Sequence, residues 1–252
     1  MLLPTVLLRR ASRTVAIAAV LAGAFSAAAS DRFGFTAFGS FKRMSHTGDT
    51  TGHVRLADLP QAPGTWGVGA LAGLAGEVLL HDGRLLVSRG TDADGRAGPP
   101  RPDDEAALFA AARVQQWVDV VVPEDLTRAQ FEAFVRQQAQ AHGIGGDAPF
   151  PFLVDGRFPT LTWHVVAGSQ RPDAQGHGAG SHANKHARMH VFERQAASGR
   201  LVGVYSGARL EGVVSHPGER FHLHYVDPSL TASGHVDAYV VAAGAVLKLP
   251  VR

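Results

Sequence analysis

Three histidines near the end of the chain have the type and spacing of a metal site. His222 and His224 are separated by one residue in the run FHLHYV, and His235 follows eleven residues after His224. Side chains alternate between the two faces of a β-strand, so His222 and His224 share one face. If DPSLTAS turns the chain back, a second strand brings His235 beside them in a hairpin. Three neutral imidazoles with an open fourth position form a common catalytic zinc site, and other divalent metals also accept imidazole.

The residue types that are missing narrow the chemistry further. The 252 residues include 13 His and no Cys, which excludes thiolate nucleophiles, disulfides and cysteine zinc sites. A second group of histidines lies between His177 and His190, without a common strand or helix register. This segment is interpreted as a solvated loop, with a metal-scavenging tract as the alternative.

The segments around the three histidines resemble a known family. FHLHYVD, a short loop and GHVDAYVV are similar to the α-acetolactate decarboxylase pattern of HLHF, a loop, and GGHV with an acid. Upstream, WGVGALAGLAGEVLLHDGRL resembles the glycine-led segment of that family, with its LDGE-type element and DG hairpin. PFPFLVDGRF and RLVGVYSGARLEGV resemble two further strands, so the resemblance covers most of the chain from about Phe35 onward.

This resemblance implies a metal-dependent decarboxylation. The zinc-binding histidines of the family match His222, His224 and His235, and its active-site glutamate matches Glu77. Loss of CO2 from a 2-hydroxy-2-methyl-3-oxo acid leaves an electron pair that must move onto the adjacent ketone, where a metal ion acts as a Lewis acid. The implied activity is conversion of 2-acetolactate, or a related 2-hydroxy-3-oxo acid, to acetoin. It would use Zn2+ or another divalent metal, with Glu77 as acid/base or as an added ligand.

The anion-binding residues depart from the family pattern. The substrate-binding arginine of the family falls at His164, and a threonine falls at Ala70. A second family glutamate, on a C-terminal tail, has no counterpart here because no acid follows Asp237. Arg220 lies two residues before His222, on the same face of the expected strand, and is a candidate replacement for the cation. His164 and Arg220 are therefore the predicted substrate-binding residues, with a solvent-screened arginine at the rim as the alternative for Arg220.

Other functions are compatible with the same motif. A diverged family member would use the metal on a different small oxoacid or in hydrolysis, and a periplasmic metal-binding protein would keep the histidines without activity. A cupin-type oxygenase also has an HxH motif, but it normally supplies a glutamate a few residues later, whereas Asp227 stands there. An activity assay on metal-loaded protein separates an enzyme from a binding protein.

The first thirty residues predict export. Arg9, Arg10 and Arg13 precede an apolar run from Thr14 to Ala29 that ends in small residues, which is the order of a secretory signal peptide. About sixteen apolar residues are fewer than the ~20 that span a bilayer. We expect a periplasmic or secreted protein with no membrane association after cleavage. The formal net charge of +2 includes the three arginines, so the mature chain is close to neutral and nothing indicates nucleic-acid binding.

The remaining pattern predicts many strands and few helices. Asp82-Gly83 between EVLLH and RLLVS is typical of a two-residue hairpin. Thr127 and Gln130 form a capping box ahead of a helix that Gly143 ends. Pro149 to Phe158 is interpreted as a strand and a turn centred on Asp155-Gly156.

These elements favour an α+β class built from two packed β-sheet halves, mixed or antiparallel, with few helices. The expected domains are a signal peptide at residues 1–30, an N-terminal half at 31–148, and a C-terminal half at 149–252 that carries the metal-binding histidines. The expected partner is a small-molecule 2-hydroxy-3-oxo acid, and the sequence leaves a homodimer open.

We expect the exported protein to begin near Ser30 or Asp31 and to be soluble without detergent, because the apolar segment is removed on export. Intact-mass spectrometry of protein recovered from the periplasm or the medium measures the new terminus. A chain that still begins at Met1, or one that stays in the membrane fraction, would contradict this prediction.

Overall fold

The computed structural model describes residues 33–145, 147–168 and 188–251. Within these ranges the chain folds into two antiparallel β-sheets with two α-helices, so the predicted class of two packed sheets with few helices is confirmed. Neither helix is long and apolar enough to cross a membrane. The predicted signal peptide and His177, His182 and His186 lie outside the described residues.

The first sheet is built from the N-terminal part of the chain. Its strands are β1 (Thr36–Phe38), β2 (Val54–Arg55), β3 (Thr65–Leu71), β4 (Gly76–His81), β5 (Arg84–Arg89), β6 (Ala97–Gly98) and β7 (Glu105–Arg113). They lie in the order β1-β7-β3-β4-β5-β6, and β2 also pairs with β7. Helix α1 (Phe41–Thr47) follows β1 and is capped by the Ser40 side chain.

The second sheet contains the longest strands. Its members are β8 (Trp117–Val121), β9 (Leu126–Thr127), β10 (Phe150–Val166), β11 (Met189–Tyr205), β12 (Phe221–Val226), β13 (Ser233–Val241) and β14 (Val246–Pro250). They lie in the order β8-β14-β10-β11-β12-β13-β9. Helix α2 (Arg128–Ala141) joins β9 to β10.

Strand β10 also pairs with β13, so β10, β11, β12 and β13 form a closed ring of strands. The apolar side chains of this ring pack on one another: the ring of Tyr225 lies 5.0 Å from Trp163 and 6.4 Å from Phe158. Because side chains alternate along each strand, the neighbouring residues of β12 and β13 face the opposite way. The histidines are on that outward face of the ring, which packs against the first sheet.

The two sheets share one apolar core. On β4, Leu79 belongs to the cluster that includes Phe152, Leu223 and Tyr225 of the second sheet. Val78 and Leu80 face the other way and pack with Leu56 and Leu59, which cover the outer side of the first sheet. Glu77 has the same parity as Leu79, so its side chain faces the second sheet.

Two local predictions from the sequence, a hairpin turn and a helix capping box, are confirmed by the structure. Asp82 and Gly83 have φ of 50° and 80° and connect β4 to β5, as a hairpin of this type requires. The Thr127 amide donates to Gln130 Oε1 at 3.0 Å, which completes the predicted capping box of α2.

The turn predicted at Asp155-Gly156 is wrong, because β10 runs through both residues without a break. Asp155 accepts a hydrogen bond from Arg200 Nη2 on the neighbouring strand β11 at 2.8 Å. A Cβ on Gly156 would come within 2.5 Å of the Ala245 Cβ. Asp155 therefore contributes to strand pairing and Gly156 allows the close approach of Ala245. The chain does not reverse its direction at these two residues.

The chain passes from the first sheet to the second between Arg113 and Trp117. Strand β8 and helix α2 thus precede residue 149 and pack with the second sheet. A domain boundary at 148/149 stays a prediction.

We expect Phe158→Ala to lower the free energy of unfolding by about 3–5 kcal/mol, because Phe158 is fully buried inside the strand ring. Urea-induced unfolding followed by far-UV circular dichroism measures the change. The matched variant Phe134→Ala, which removes a partly buried ring on α2, should cost clearly less. Equal losses in the two variants would contradict a core centred on the ring.

Candidate metal centre

Cross-strand pairing brings the three predicted histidines together. His224 on β12 lies directly opposite His235 on β13, and His222 has the same parity as His224 on β12. One ligand atom from each of the three side chains lies within 4.8 Å of the others. The hairpin predicted from the HxH spacing is therefore present, and the triad can hold a metal ion.

The hydrogen bonds of the triad suit metal ligation. His222 Nδ1 lies 2.7 Å from the Val214 carbonyl oxygen, so Nδ1 donates and Nε2 keeps its lone pair. His224 is fully buried, and neither of its ring nitrogens has a hydrogen-bond partner among the described residues. A buried imidazole without a partner costs folding free energy, and ligation of an ion would remove that cost. The donor set therefore fits a divalent metal.

Burial keeps all three imidazoles neutral, which is the form that binds metals. It lowers the pKa of His222 to about 3. Desolvation also lowers the pKa of His224 and of His235 well below the ordinary value, and the neighbouring histidines add to this effect. Since metal binding competes with protonation, a lowered pKa favours the ion near neutral pH.

Glu77 reaches the triad from the other sheet. Its Oε2 lies 3.6 Å from His224 Nε2, and its Oε1 lies 3.9 Å from His164 Nε2. The amide of Val166 donates to Oε1 at 3.4 Å and holds the carboxyl group in place. The residue that the resemblance matched to an active-site glutamate is thus beside the histidines.

The environment of Glu77 changes its acidity. Only 4% of the residue is exposed, and burial raises its pKa to about 7 against the opposing effects of His164 and of the Val166 amide. A carboxyl group whose pKa is raised toward neutral pH is suited to both giving and taking a proton.

His164 lies in the same cluster, on β10 opposite His235, and the centroids of the two rings are 4.9 Å apart. Its Nδ1 lies 2.8 and 2.9 Å from the two carboxylate oxygens of Asp237. Burial alone would lower the pKa of His164. The hydrogen bond to Asp237 and the charges of Glu77 and Asp237 outweigh burial and raise that pKa above its ordinary value.

Arg220 is occupied elsewhere. Its Nε lies 3.1 Å from Glu211 Oε2, and its Nη1 lies 3.2 Å from Asp147 Oδ1. The guanidinium charge is therefore balanced by two carboxylates, and its role in substrate binding stays a prediction.

Sequence reasoning assigned no role to three side chains near the triad. Asp237 lies two residues after His235 on the same face of β13, so strand alternation contained the signal for its position. Phe41 and His216 come from remote segments, and no local pattern indicated them. The Phe41 ring lies 4.1 Å from the His216 ring and 5.4 Å from the His222 ring, and His216 lies 5.8 Å from His235. His216 is exposed, so this pair covers a solvent-facing side of the triad.

Comparison with known proteins connects this site to a family. The model of the alpha-acetolactate decarboxylase family matches residues 43–249. The alpha-acetolactate decarboxylase of Bacillus subtilis strain 168 is 22% identical over 190 residues, which cover 75% of this chain and 68% of that protein. The alpha-acetolactate decarboxylase of Streptococcus thermophilus is 24% identical over 188 residues, which cover 75% and 73% of the two chains.

A solved structure agrees on the fold. The crystal structure of alpha-acetolactate decarboxylase from Bacillus subtilis strain 168 superposes with a TM-score of 0.68 at 20% identity, over 86% of each chain. Because the family model matches residues 43–249, a range that covers nearly all of the two sheets, the chain belongs to the alpha-acetolactate decarboxylase family.

Proposed function

We propose that this protein is a metal-dependent decarboxylase that converts 2-acetolactate, or a closely related 2-hydroxy-3-oxo acid, to acetoin or its analogue. The observation that carries the proposal is the position of Glu77. A buried carboxyl group with a pKa of about 7 lies 3.6 Å from His224 of a triad that can hold a metal. Family membership supports the reaction class, and the histidine triad, Glu77 and His164 offer groups that this reaction can use.

His222, His224 and His235 would hold the ion, and Zn2+ is the ion we propose because three imidazoles with an open position suit it. When bound, the metal supplies Lewis-acid stabilisation of the ketone and hydroxyl oxygens of the substrate. The hydrogen bond from His222 to the Val214 carbonyl keeps one ligand ring oriented for this task.

Glu77 would handle the proton. Release of CO2 breaks the bond between the carboxylate carbon and the hydroxyl-bearing carbon, and the electron pair moves onto the neighbouring ketone. A proton from Glu77 Oε2 then forms the new C–H bond of the product, after which the carboxylate recovers a proton from water. Burial raises the pKa of the carboxyl group and favours its protonated form, and the charge of a bound metal ion opposes this effect.

His164 would bind the substrate carboxylate. Its Nε2 faces the same space as Glu77, and the neighbouring Asp237 favours its charged form. A protonated imidazole offers one charge-assisted hydrogen bond, whereas the arginine of the family offers a bidentate contact. We therefore expect weaker binding of the acid than an arginine would give.

Purified protein should contain about one zinc ion per chain, and His224→Ala should lose it, because two imidazoles rarely hold zinc against competition. Elemental analysis by mass spectrometry after dialysis measures the content. The matched variant His142→Ala, which changes an exposed histidine, should keep its zinc. Stoichiometric zinc in the His224 variant would place the site elsewhere, with the His177–His190 segment as the next candidate.

Glu77→Gln should keep its zinc but form acetoin from 2-acetolactate about 10²–10⁴-fold more slowly, because an amide cannot donate the proton. The melting temperature of this variant should be equal to or higher than that of the parent protein, because the change removes a charge that burial disfavours. A colorimetric acetoin assay on metal-loaded protein measures the rate.

The matched control for this variant is Glu193→Gln, on an exposed part of β11, which should leave turnover unchanged. Near-normal turnover in Glu77→Gln would make Glu77 structural and would move the proton role to another group, with His164 as the first candidate. Absence of acetoin from the parent protein would leave the family fold and the metal site but would require a different oxoacid substrate.

A further inference from the structure

Beside the triad, His164 is hydrogen-bonded to Asp237, a residue to which the proposed reaction assigns no role. His164 Nδ1 lies at hydrogen-bond distance from both carboxylate oxygens of Asp237, at 2.8 and 2.9 Å. The two residues are 73 positions apart in sequence and meet because β10 pairs with β13. The side chain of His164 is 10% exposed and that of Asp237 is 38% exposed, so the contact points from the buried site toward solvent.

This contact decides which nitrogen of His164 faces the site. A carboxylate only accepts hydrogen bonds, so Nδ1 must carry a proton. Nε2 is then the nitrogen on the side of Glu77, 3.9 Å from its Oε1. The ring is also held against His235 at 4.9 Å. A flipped ring would lose the Asp237 contact and would put a carbon atom toward Glu77.

A histidine at this position needs such a partner. An arginine carries donors on all three guanidinium nitrogens and is charged at any physiological pH, so it presents a donor in every rotamer. An imidazole has two distinct nitrogens and can exchange the proton between them, so its function depends on what binds the other nitrogen. Asp237 provides that second contact from the neighbouring strand.

We propose that Asp237 is a positioning residue: by accepting the Nδ1 proton it fixes the ring orientation of His164, so that the Nε2–H of the protonated ring is directed at the carboxylate of the bound oxoacid. The inference rests on the proposed function for the identity of that oxoacid. The contact itself, and its effect on the His164 ring, do not depend on the reaction.

The direct test is the protonation pattern of His164 in zinc-loaded protein labelled with 15N-histidine. Long-range 1H–15N correlation spectra report which ring nitrogen carries the proton, and His164→Ala identifies the signals. We expect His164 Nδ1 to be protonated in the parent protein, whether or not Nε2 also carries a proton, and a mixture of Nδ1–H and Nε2–H rings in Asp237→Ala. The control Asp119→Ala, which removes an exposed partner of Lys248 on the same sheet, should leave the pattern unchanged. An identical His164 pattern in Asp237→Ala and in the parent protein would overturn the proposal.

A double-mutant cycle on acetoin formation tests the consequence. Asp237→Ala should reduce kcat/KM by about 10–100-fold, as is common for residues that orient a functional histidine. In the His164→Ala background the same change should have less than about a twofold effect, because Asp237 acts through His164. Equal losses in both backgrounds would refute a positioning role. If the zinc-loaded parent protein forms no acetoin, the proposed function fails, while the spectra still decide whether Asp237 orients His164.

Discussion

The register between β10, β13 and β12 determines where the histidines of the site lie. His164 is opposite His235, and His235 is opposite His224, so three side chains from three strands face one side. A shift of one residue in either pairing would point a histidine side chain toward the aromatic interior of the ring. It would also place an apolar side chain beside the triad. The aromatic side chains inside the ring oppose such a shift, because they are buried only in the observed register. Aromatic packing inside the strand ring thus fixes the positions of the histidines on its outer face.

Docking of the first sheet onto the second sheet brings a buried carboxylate to the histidine triad. The triad has imidazoles but no carboxylate that is buried with it, and Glu77 arrives from β4 to complete the cluster. The same docking removes water from the carboxyl group and raises its pKa to about 7. Acidity and position therefore have a single cause, which is the burial of one face of β4 against the strand ring.

The sequence contained the local part of this arrangement. Strand alternation predicted the common face of His222 and His224, and the Asp-Gly hairpin and the capping box are both present in the structure. Glu77 could not be derived from spacing, because its contact with His224 spans two sheets, and only the family resemblance pointed to it. Strand alternation also failed to show that β10 continues through Asp155-Gly156. The close approach of Ala245 that favours glycine there is a tertiary contact, which a local turn signal cannot reveal.

The closure of the strand ring also affects the order in which the molecule can assemble. The hairpins β4–β5 and β12–β13 join residues that are close in sequence and can form early. The contact of His164 with Asp237 joins residues 73 positions apart, and that of Val166 with Glu77 joins residues 89 positions apart. Pairings of such separation require long loops to close first, and they slow folding. The triad is thus available to an ion when only β12 and β13 have paired, whereas Glu77, the proposed proton donor, is added later. A partly folded chain is therefore able to hold a metal ion before Glu77 and His164 reach the triad.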